Sequence, residues 1–347
     1  MIAPSHSVAV VGAGTMGAGI AQVAAAAGHP VLLFDVREGV VAKAIDDVHK
    51  NLQKLVAKGK LSAETAASAR ISSAASLDEI APAKLVSEAV IEDLQAKREV
   101  FAKLDQIVDG SCLFATNTSS ISITAIGAAL SNPGRLAGMH FFNPAPLMEL
   151  VEVVSGLGTD RGCAETIYAT AKAWGKTPVH VKSSPGFIVN RVARPFYLEA
   201  LRMVQERVAT PATIDAVMRE AGFRMGPFEL MDLIGNDVNF AVSKSIFEAY
   251  FYEPRFRPSL LQQELVEAGR LGRKTGRGWY EYGENAPKPT PDPAPPVTLI
   301  LGRILKAIAE EAQRAVDEGI CTAEDLNLAM RKGVNYPQGP LEWVHKF

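Results

Sequence analysis

His140 and Glu152 are the pair in this sequence best suited to moving a proton. In GMHFFNPAPLMELVEVVSG, His140 closes an apolar run, Asn143-Pro144 breaks it, and Glu152 stands between Val151 and Val153. A carboxylate embedded in an apolar strand is costly to bury without a partner, and His140 is the partner the segment offers. An imidazole titrates near neutral pH and can take a proton from an alcohol when a carboxylate fixes its tautomer. Without that glutamate, a histidine at a strand end reads more simply as structural. Two further clusters carry chemistry. TNTSS, from Thr116, lies where an apolar run ends; by itself Ser119 would be only a turn residue. GAGTMG, from Gly12, sets Gly12, Gly14 and Gly17 in a GxGxxG spacing.

Each cluster needs an element to aim it. Ser7 to Val11 is a short apolar run; the glycines follow, then an alanine-rich stretch to Gly28, then VLLF closing on Asp35. Strand, glycine turn, helix, strand and acid is the order of a βαβ dinucleotide site. A bare GxGxxG is a weak signal, because glycine turns are common, and it is this context that strengthens it. Glycines let backbone N–H groups approach a pyrophosphate at the positive end of a helix, and a carboxylate 18 residues past Gly17 can bind both ribose hydroxyls while repelling a 2′-phosphate. The spacing therefore predicts NAD over NADP, with Gly12, Gly14, Thr15, Met16, Gly17 and Asp35 at the cofactor. Arg37 weakens that preference slightly and otherwise reads as a solvated surface charge. Strand-like runs at Lys84 to Ala89, Leu113 to Thr116, Arg135 to Phe141, Leu150 to Val154 and Thr177 to Lys182 alternate with helix-length segments. That alternation predicts an α/β fold with a Rossmann-type, doubly wound, mainly parallel sheet. Loops at its carboxyl edge, TNTSS among them, are expected to face ligand.

Around Ser184-Pro185-Gly186 the texture changes to amphipathic helical patterns, as in Ile188 to Arg207 and Pro211 to Glu220. The expected organisation is a Rossmann domain over 1–184, an all-α domain over 185–282, a linker over 283–296 and a partial second copy of the helical domain over 297–347. The linker holds six prolines between Ala286 and Pro296; as polyproline it would reach about 34 Å at roughly 3.1 Å per residue. The second copy is visible as a repeat. EALRMVQERVATPATIDAVM from Glu199 matches EAQRAVDEGICTAEDLNLAM from Glu311 at an offset of 112, and GPFEL from Gly226 returns as GPLEW from Gly339. In that register Gly302 replaces Asn190 while Arg303 matches Arg191. A polar contact is lost and a packing pattern kept. With no second glycine loop or histidine–glutamate pair, the copy is expected to pack on the first and not to catalyse alone.

The bulk composition narrows the partners. A chain of 347 residues exceeds what one hydrophobic core usually serves. Hydrophobic residues at 48%, charged residues at 21% and a net charge of -2 describe an ordinary globular surface and give no sign of a nucleic-acid partner. A local patch of two or three cations for a phosphorylated ligand is still compatible with that total. Cys112, Cys163 and Cys321 are odd in number and far apart, so neither a disulfide framework nor a metal site is expected, and a reducing, cytoplasmic setting fits. No basic leader precedes the first strand and no run reaches 18 apolar residues, so no membrane partner is expected.

These motifs, in this order, resemble the 3-hydroxyacyl-CoA dehydrogenase family. GAGTMGAGIAQ, EAVIEDLQAK, NTSSISIT, HFFNPAPLMELVEVV, PGFIVNRV, MGPFELMDL and RKTGRGWY carry the resemblance over residues 7 to 282. The segment after the prolines resembles the partial second carboxy-terminal copy of long bacterial members linked to 3-hydroxybutyryl-CoA oxidation and phenylacetate breakdown. The resemblance implies that His140 is the catalytic base and Glu152 its orienting partner. It implies that Ser119 and Asn190 hydrogen-bond the substrate oxygen or the histidine, and that Asn143 lies near the nicotinamide ribose. Glu92, Lys97, Asn117, Ser119 and Lys274 would touch the cofactor, and Asn51 and Lys58 would hold coenzyme A. Asn51 stands where the family has a serine. MREAGFRMGP is one residue short, with Arg224 where a proline is common, so the loop geometry there departs from the pattern. The family habit is a homodimer through the helical domain; a chain with a second partial copy could instead be an internally capped monomer.

Two other readings compete. The 2-hydroxyacid and phosphogluconate dehydrogenases share a Rossmann start and a helical second domain, but they use a lysine base and lack HFFNP followed by an embedded glutamate. A structural dinucleotide-binding protein without turnover would have no need for Ser119, His140, Glu152 and Asn190 together. Acyl chain length, and any preference for a terminal carboxylate, are not written in the sequence.

Overall fold

The computed structural model describes residues 1–343, and the last four residues of the expected second copy, 344–347, lie outside them. The chain divides into two compact units, Met1–Phe187 and the helical region from Ile188 onward.

In the first unit, eight strands form one sheet: β1 Val8–Val11, β2 Pro30–Phe34, β3 Arg70–Ser73, β4 Leu85–Glu88, β5 Leu113–Thr116, β6 Leu136–Phe141, β7 Leu150–Ser155 and β8 Thr177–Lys182. Their order is β3-β2-β1-β4-β5-β6-β7-β8. Helices α1 Thr15–Ala26, α2 Val40–Ala57, α3 Ala63–Ser68, α4 Leu94–Ile107, α5 Ile123–Gly127 and α6 Arg161–Ala173 connect them. Strands covered on both faces read as continuous apolar runs, and every residue of β1, β4 and β6 is buried. β1 to β6 pair in parallel, β7 runs antiparallel to β6, and β8 is parallel to β7. The reversal has a local cause. The link from Phe142 to Glu149 is too short to hold a crossover helix, so the chain can only turn back beside the strand it left. This is the doubly wound, mainly parallel sheet expected from the sequence. One strand went unforeseen: β3 is short, sits on the sheet edge and exposes most of its side chains, so it carries no apolar run.

The second unit is helical: α7 Val189–Val192, α8 Arg194–Gln205, α9 Pro211–Glu220, α10 Pro227–Ile234, α11 Asn236–Ala249, α12 Leu260–Glu267, α13 Val297–Asp317 and α14 Ala323–Gly333. The helical pattern from Ile188 to Arg207 is broken at Ala193, and Pro195 opens α8 where its missing N–H costs nothing. In the repeat, Ala307 stands where Pro195 does, and α13 runs unbroken over the length of α7 and α8. The proline-rich segment has no regular structure, but it is tied down at its middle. Thr213 Oγ1 donates to Asp292 at 2.7 Å, and the Asp292 amide donates back to Thr213 at 2.8 Å.

The repeat extends to individual bonds. Thr210 caps α9 through the Thr213 amide, and Thr322 caps α14 through the Asp325 amide. The Phe228 amide bonds Asp215 and the Leu341 amide bonds Asn327, at matching positions; Arg219–Glu229 is matched by Arg331–Glu342. Across α8 and α13 the contacts are reciprocal. Arg191 donates to Glu311 at 2.6 Å and to Glu318 at 2.7 and 3.0 Å, while Arg303 donates to Glu199 at 3.0 Å and to Glu206. Adding the 112-residue offset to Arg191, Glu199 and Glu206 gives Arg303, Glu311 and Glu318. Each copy therefore offers the other the same surface, the isologous arrangement of a two-fold interface. Ile300, Ile304 and Ile308 are buried along α13, and Phe223 meets Tyr336 edge-on at 5.0 Å.

The two arginines differ in depth, and that sets their cost. Arg191 is fully buried, whereas the Arg303 side chain is 26% exposed. Arg191→Met should cost about 3 kcal/mol, because it strips a partner from the buried Glu311, and Arg303→Met no more than about 1 kcal/mol. Urea denaturation checks the ordering; equal costs would show that the pairs are equivalent in energy as well as in geometry.

Candidate active site

Three groups of side chains sit at the ends of β1, β4, β5 and β6 in the first unit. At the end of β1, Gly12 has φ +102°, and a side chain there would drive into the Ala89 carbonyl. A side chain at Gly17 would strike the Gly12 carbonyl, whereas one at Gly14 would meet nothing within 4 Å. Two glycines thus serve close packing, and the middle one leaves room ahead of the α1 N-terminus, which Thr15 and Met16 open. That open cradle of backbone N–H groups fits a dinucleotide pyrophosphate. Asp35 follows β2 and accepts from the Ala13 amide at 2.8 Å, which holds the glycine turn against the acid. Arg37 is a largely exposed charge and also grips Asp35, through Nε at 3.0 Å and its terminal nitrogen at 2.9 Å. Those charged hydrogen bonds, with help from backbone donors, pull the Asp35 carboxyl down to about 2.

Glu88, which the sequence reading did not single out, ends β4 with no exposed surface. It pairs with Lys97 at 2.7 Å and accepts from Thr116 Oγ1 at 2.6 Å and the Val90 amide at 2.7 Å. Its signal was like that of Glu152, an acid in an apolar strand, although Glu88 closes its strand and Glu152 stands inside one. Lys97 is 1% exposed and lies 3.4 Å from Glu92. Glu92 Oε1 in turn accepts from Thr118 Oγ1 at 2.7 Å and from the Ser119 and Ser120 amides at 2.9 and 3.1 Å. Burial works to raise the Glu92 carboxyl, but the Lys97 charge and these donors outweigh it and hold it below the usual carboxylate value. Lys97 and Glu92 therefore shape the Ser119 loop from beneath.

Antiparallel pairing sets His140 directly opposite Glu152 on β6 and β7. His140 Nδ1 lies 2.7 Å from Glu152 Oε2, with both side chains buried. With the glutamate as acceptor, Nδ1 carries the proton and Nε2 is the basic nitrogen. The ring packs 4.6 Å from Phe142 and 5.7 Å from Phe187. Phe187 takes a left-handed backbone, φ 49°, that a phenylalanine adopts only under outside constraint. Asn117 Oδ1 accepts from the Phe141 amide at 2.8 Å and so ties the Ser119 loop to the strand that carries His140. Asn143 is exposed just beyond.

The remaining expected residues lie elsewhere. Asn51 and Lys58 are exposed at the end of α2 and beyond it, two turns apart and so on one face. Asn190 belongs to α7 in the second unit, where its carbonyl accepts from Arg194 at 2.9 Å. Lys274, also in that unit, pairs with Asp237 at 2.6 Å. Its segment is built on Asp232, a buried acid the sequence reading passed over. Asp232 accepts from the Trp279 and Tyr280 amides at 3.0 Å each and from the Tyr282 hydroxyl at 2.9 Å. None of the three cysteines is joined in a disulfide, and burial pushes the Cys112 and Cys163 thiols up to about 12. No metal-ligand cluster occurs among the described residues.

A glycine cradle, an acid after β2 and a buried histidine–glutamate pair on one sheet define a dinucleotide-dependent oxidoreductase. Residues 7–184 match the family model of the 3-hydroxyacyl-CoA dehydrogenase NAD-binding domain, and residues 186–282 and 299–347 match that of the C-terminal domain. The chain belongs to the 3-hydroxyacyl-CoA dehydrogenase family, and NAD is its cofactor. It is 42% identical to the 3-hydroxyadipyl-CoA dehydrogenase of Escherichia coli, over 97% of this chain and 90% of that one. It is 40% identical to the 3-hydroxybutyryl-CoA dehydrogenase of Clostridioides difficile, over 80% of this chain and 99% of that one. A crystal structure of 3-hydroxybutyryl-CoA dehydrogenase from Escherichia coli superposes with a TM-score of 0.93 at 40% identity, covering 99% of this chain and 91% of that one.

The depth of the Glu88–Lys97 pair makes it sensitive to the loss of one partner. Lys97→Met would leave Glu88 charged and buried, and should lower unfolding stability by about 3 kcal/mol or more. A loss below about 1 kcal/mol in chemical denaturation would mean that Glu88 finds another partner or water.

Proposed function

We propose that this protein oxidises (S)-3-hydroxyacyl-CoA to 3-oxoacyl-CoA, with 3-hydroxybutyryl-CoA or 3-hydroxyadipyl-CoA as substrate. The observation that carries the reading is the buried 2.7 Å hydrogen bond between His140 on β6 and Glu152 on β7, in the same sheet whose β1 ends in the glycine cradle. NAD supplies the hydride acceptor. His140 Nε2 takes the 3-hydroxyl proton as the C3–H bond breaks, and Glu152, bonded at Nδ1, stabilises the imidazolium that results. In the reverse direction the same nitrogen returns the proton to the forming alkoxide. The phenyl rings of Phe142 and Phe187 keep water from the imidazole, which strengthens its interaction with Glu152.

In this proposal Ser119 and Asn190 donate to the substrate oxygen, and Asn143 and Lys274 approach the nicotinamide half of the cofactor. Asn51 and Lys58 take the phosphates and adenosine of coenzyme A. Glu92 and Lys97 act by holding the 118–120 backbone. The protein works in a reducing cytoplasm, in keeping with three cysteines that form no disulfide, and no helix among the described residues is long and apolar enough to cross a membrane. For assembly, we favour a chain whose second copy occupies the face that shorter relatives would use to dimerise. The reciprocal Arg191 and Arg303 contacts support that choice.

Purified protein should oxidise NADH with acetoacetyl-CoA, and comparing 3-hydroxybutyryl-CoA with 3-hydroxyadipyl-CoA ranks the substrates. His140→Ala should lower kcat by about 10² to 10⁴ with little change in NADH affinity, and Glu152→Gln should lose most of the same rate. A His140→Ala enzyme within tenfold of the parent would refute the base. Truncation after Tyr282 uncovers the face of α8 that α13 buries, so it should change the mass in solution or lower the melting temperature. A truncated protein with both unchanged would make the second copy a tethered accessory.

A further inference from the structure

The cofactor reading places the adenine ribose at Asp35, and the inference that follows rests on it. In this structure the Asp35 carboxylate is already full. An ionised carboxylate offers about four lone-pair positions, and four donors fill them. The Ala13 amide bonds Oδ2 at 2.8 Å and the Arg37 amide bonds Oδ1 at 2.9 Å. Arg37 Nε bonds Oδ1 at 3.0 Å and its terminal nitrogen bonds Oδ2 at 2.9 Å. The two amides belong to the backbone of the turn and stay. The two guanidinium contacts cover one position on each oxygen, the pair that the 2′- and 3′-hydroxyls of a ribose need.

We infer that Arg37 is a displaceable guard on Asp35 and sets how sharply the protein separates NAD from NADP. For NAD, the ribose hydroxyls and the guanidinium compete for the same two acceptor positions, so the side chain must swing out. The fork is only two residues from its partner and 64% exposed, and such surface pairs are weak. Its departure costs a factor of about two to five in NAD affinity. For NADP the same group acts with the opposite sign. A 2′-phosphate beside a bare Asp35 would be repelled, but a guanidinium next to that carboxylate offsets its charge and presents two parallel N–H donors to phosphate oxygens. Arg37 therefore weakens NAD binding slightly and supports NADP binding. The discrimination is shallower than Asp35 alone would impose.

Equilibrium titration of NADH and NADPH, followed by nicotinamide fluorescence at fixed ionic strength, tests this by binding without turnover. Arg37→Gln removes the charge from an exposed side chain and should leave the melting temperature in place. It should tighten NADH by about two- to fivefold and weaken NADPH by about tenfold or more. Arg37→Lys keeps a charge and loses the fork, and should fall between the parent and Arg37→Gln for both ligands. An NADPH to NADH dissociation-constant ratio unchanged within twofold in Arg37→Gln, or a weakened NADH, overturns the guard while leaving the dehydrogenase reading standing. A parent protein that binds neither dinucleotide overturns both.

Discussion

A carboxylate in the middle of a sheet has to be answered by the chain that surrounds it, and Glu152 has no exposed side-chain surface. Its neighbours along β7, Val151 and Val153, are fully buried hydrocarbons, so the answer has to come from the adjacent strand. Antiparallel pairing supplies it by setting His140 at the same rung, where the side chains of a cross-strand pair meet directly. A one-residue slip of β7 would turn Glu152 to the other face of the sheet and separate it from the imidazole. The short link between β6 and β7 excludes a crossover helix and compels that pairing. The site thus depends on a reversal of chain direction that the rest of the sheet does not share.

The same need recurs one strand over. Glu88 and Lys97 are buried together, with Thr116 and a backbone amide taking two more of the lone pairs. Buried ion pairs of this kind seldom add stability over an apolar replacement, but they are strict about geometry. Here that strictness reaches the surface, because Lys97 lies against Glu92 and Glu92 gathers the donors of residues 118–120. Asn117 then joins the loop to the Phe141 amide. Two polar networks, one buried at His140 and Glu152 and one running from buried Glu88 and Lys97 out to exposed Glu92, fix the loop and the histidine relative to one another.

The helical unit uses duplication for a different end. Its copies bury apolar faces on each other and exchange arginine–glutamate contacts through equivalent residues. The exchange is not symmetric in environment: Arg191 is sealed off, with Arg255 sharing its Glu311, while Arg303 stays near solvent. Pro195 in one copy and Ala307 in the other explain why two helices face one long helix, since a proline ends a helix that an alanine continues.

Local pattern determined a good deal by itself. Apolar runs bounded by turn residues located seven of the eight strands, GxGxxG followed by Asp35 marked the glycine turn after β1 and the acid that braces it, and the offset of 112 marked the repeat, because each depends on residues close together or on a repeat visible in one dimension. Glu152 was also legible, since an acid between valines implies a partner wherever it folds. Tertiary structure alone decided the rest. Edge strand β3 has too few buried side chains to leave an apolar run. Asp232 finds its donors in a segment distant in sequence, and Glu88 finds Lys97 nine residues on across a turn into α4, so the sequence does not show which tyrosine or lysine will arrive. Arg37 read as a solvated charge because exposure is easy to foresee, whereas its grip on Asp35 depends on the turn after β2 aiming the side chain back. Charge and apolarity are properties of residues; partnership is a property of the folded chain, set by which strands lie side by side and in which direction.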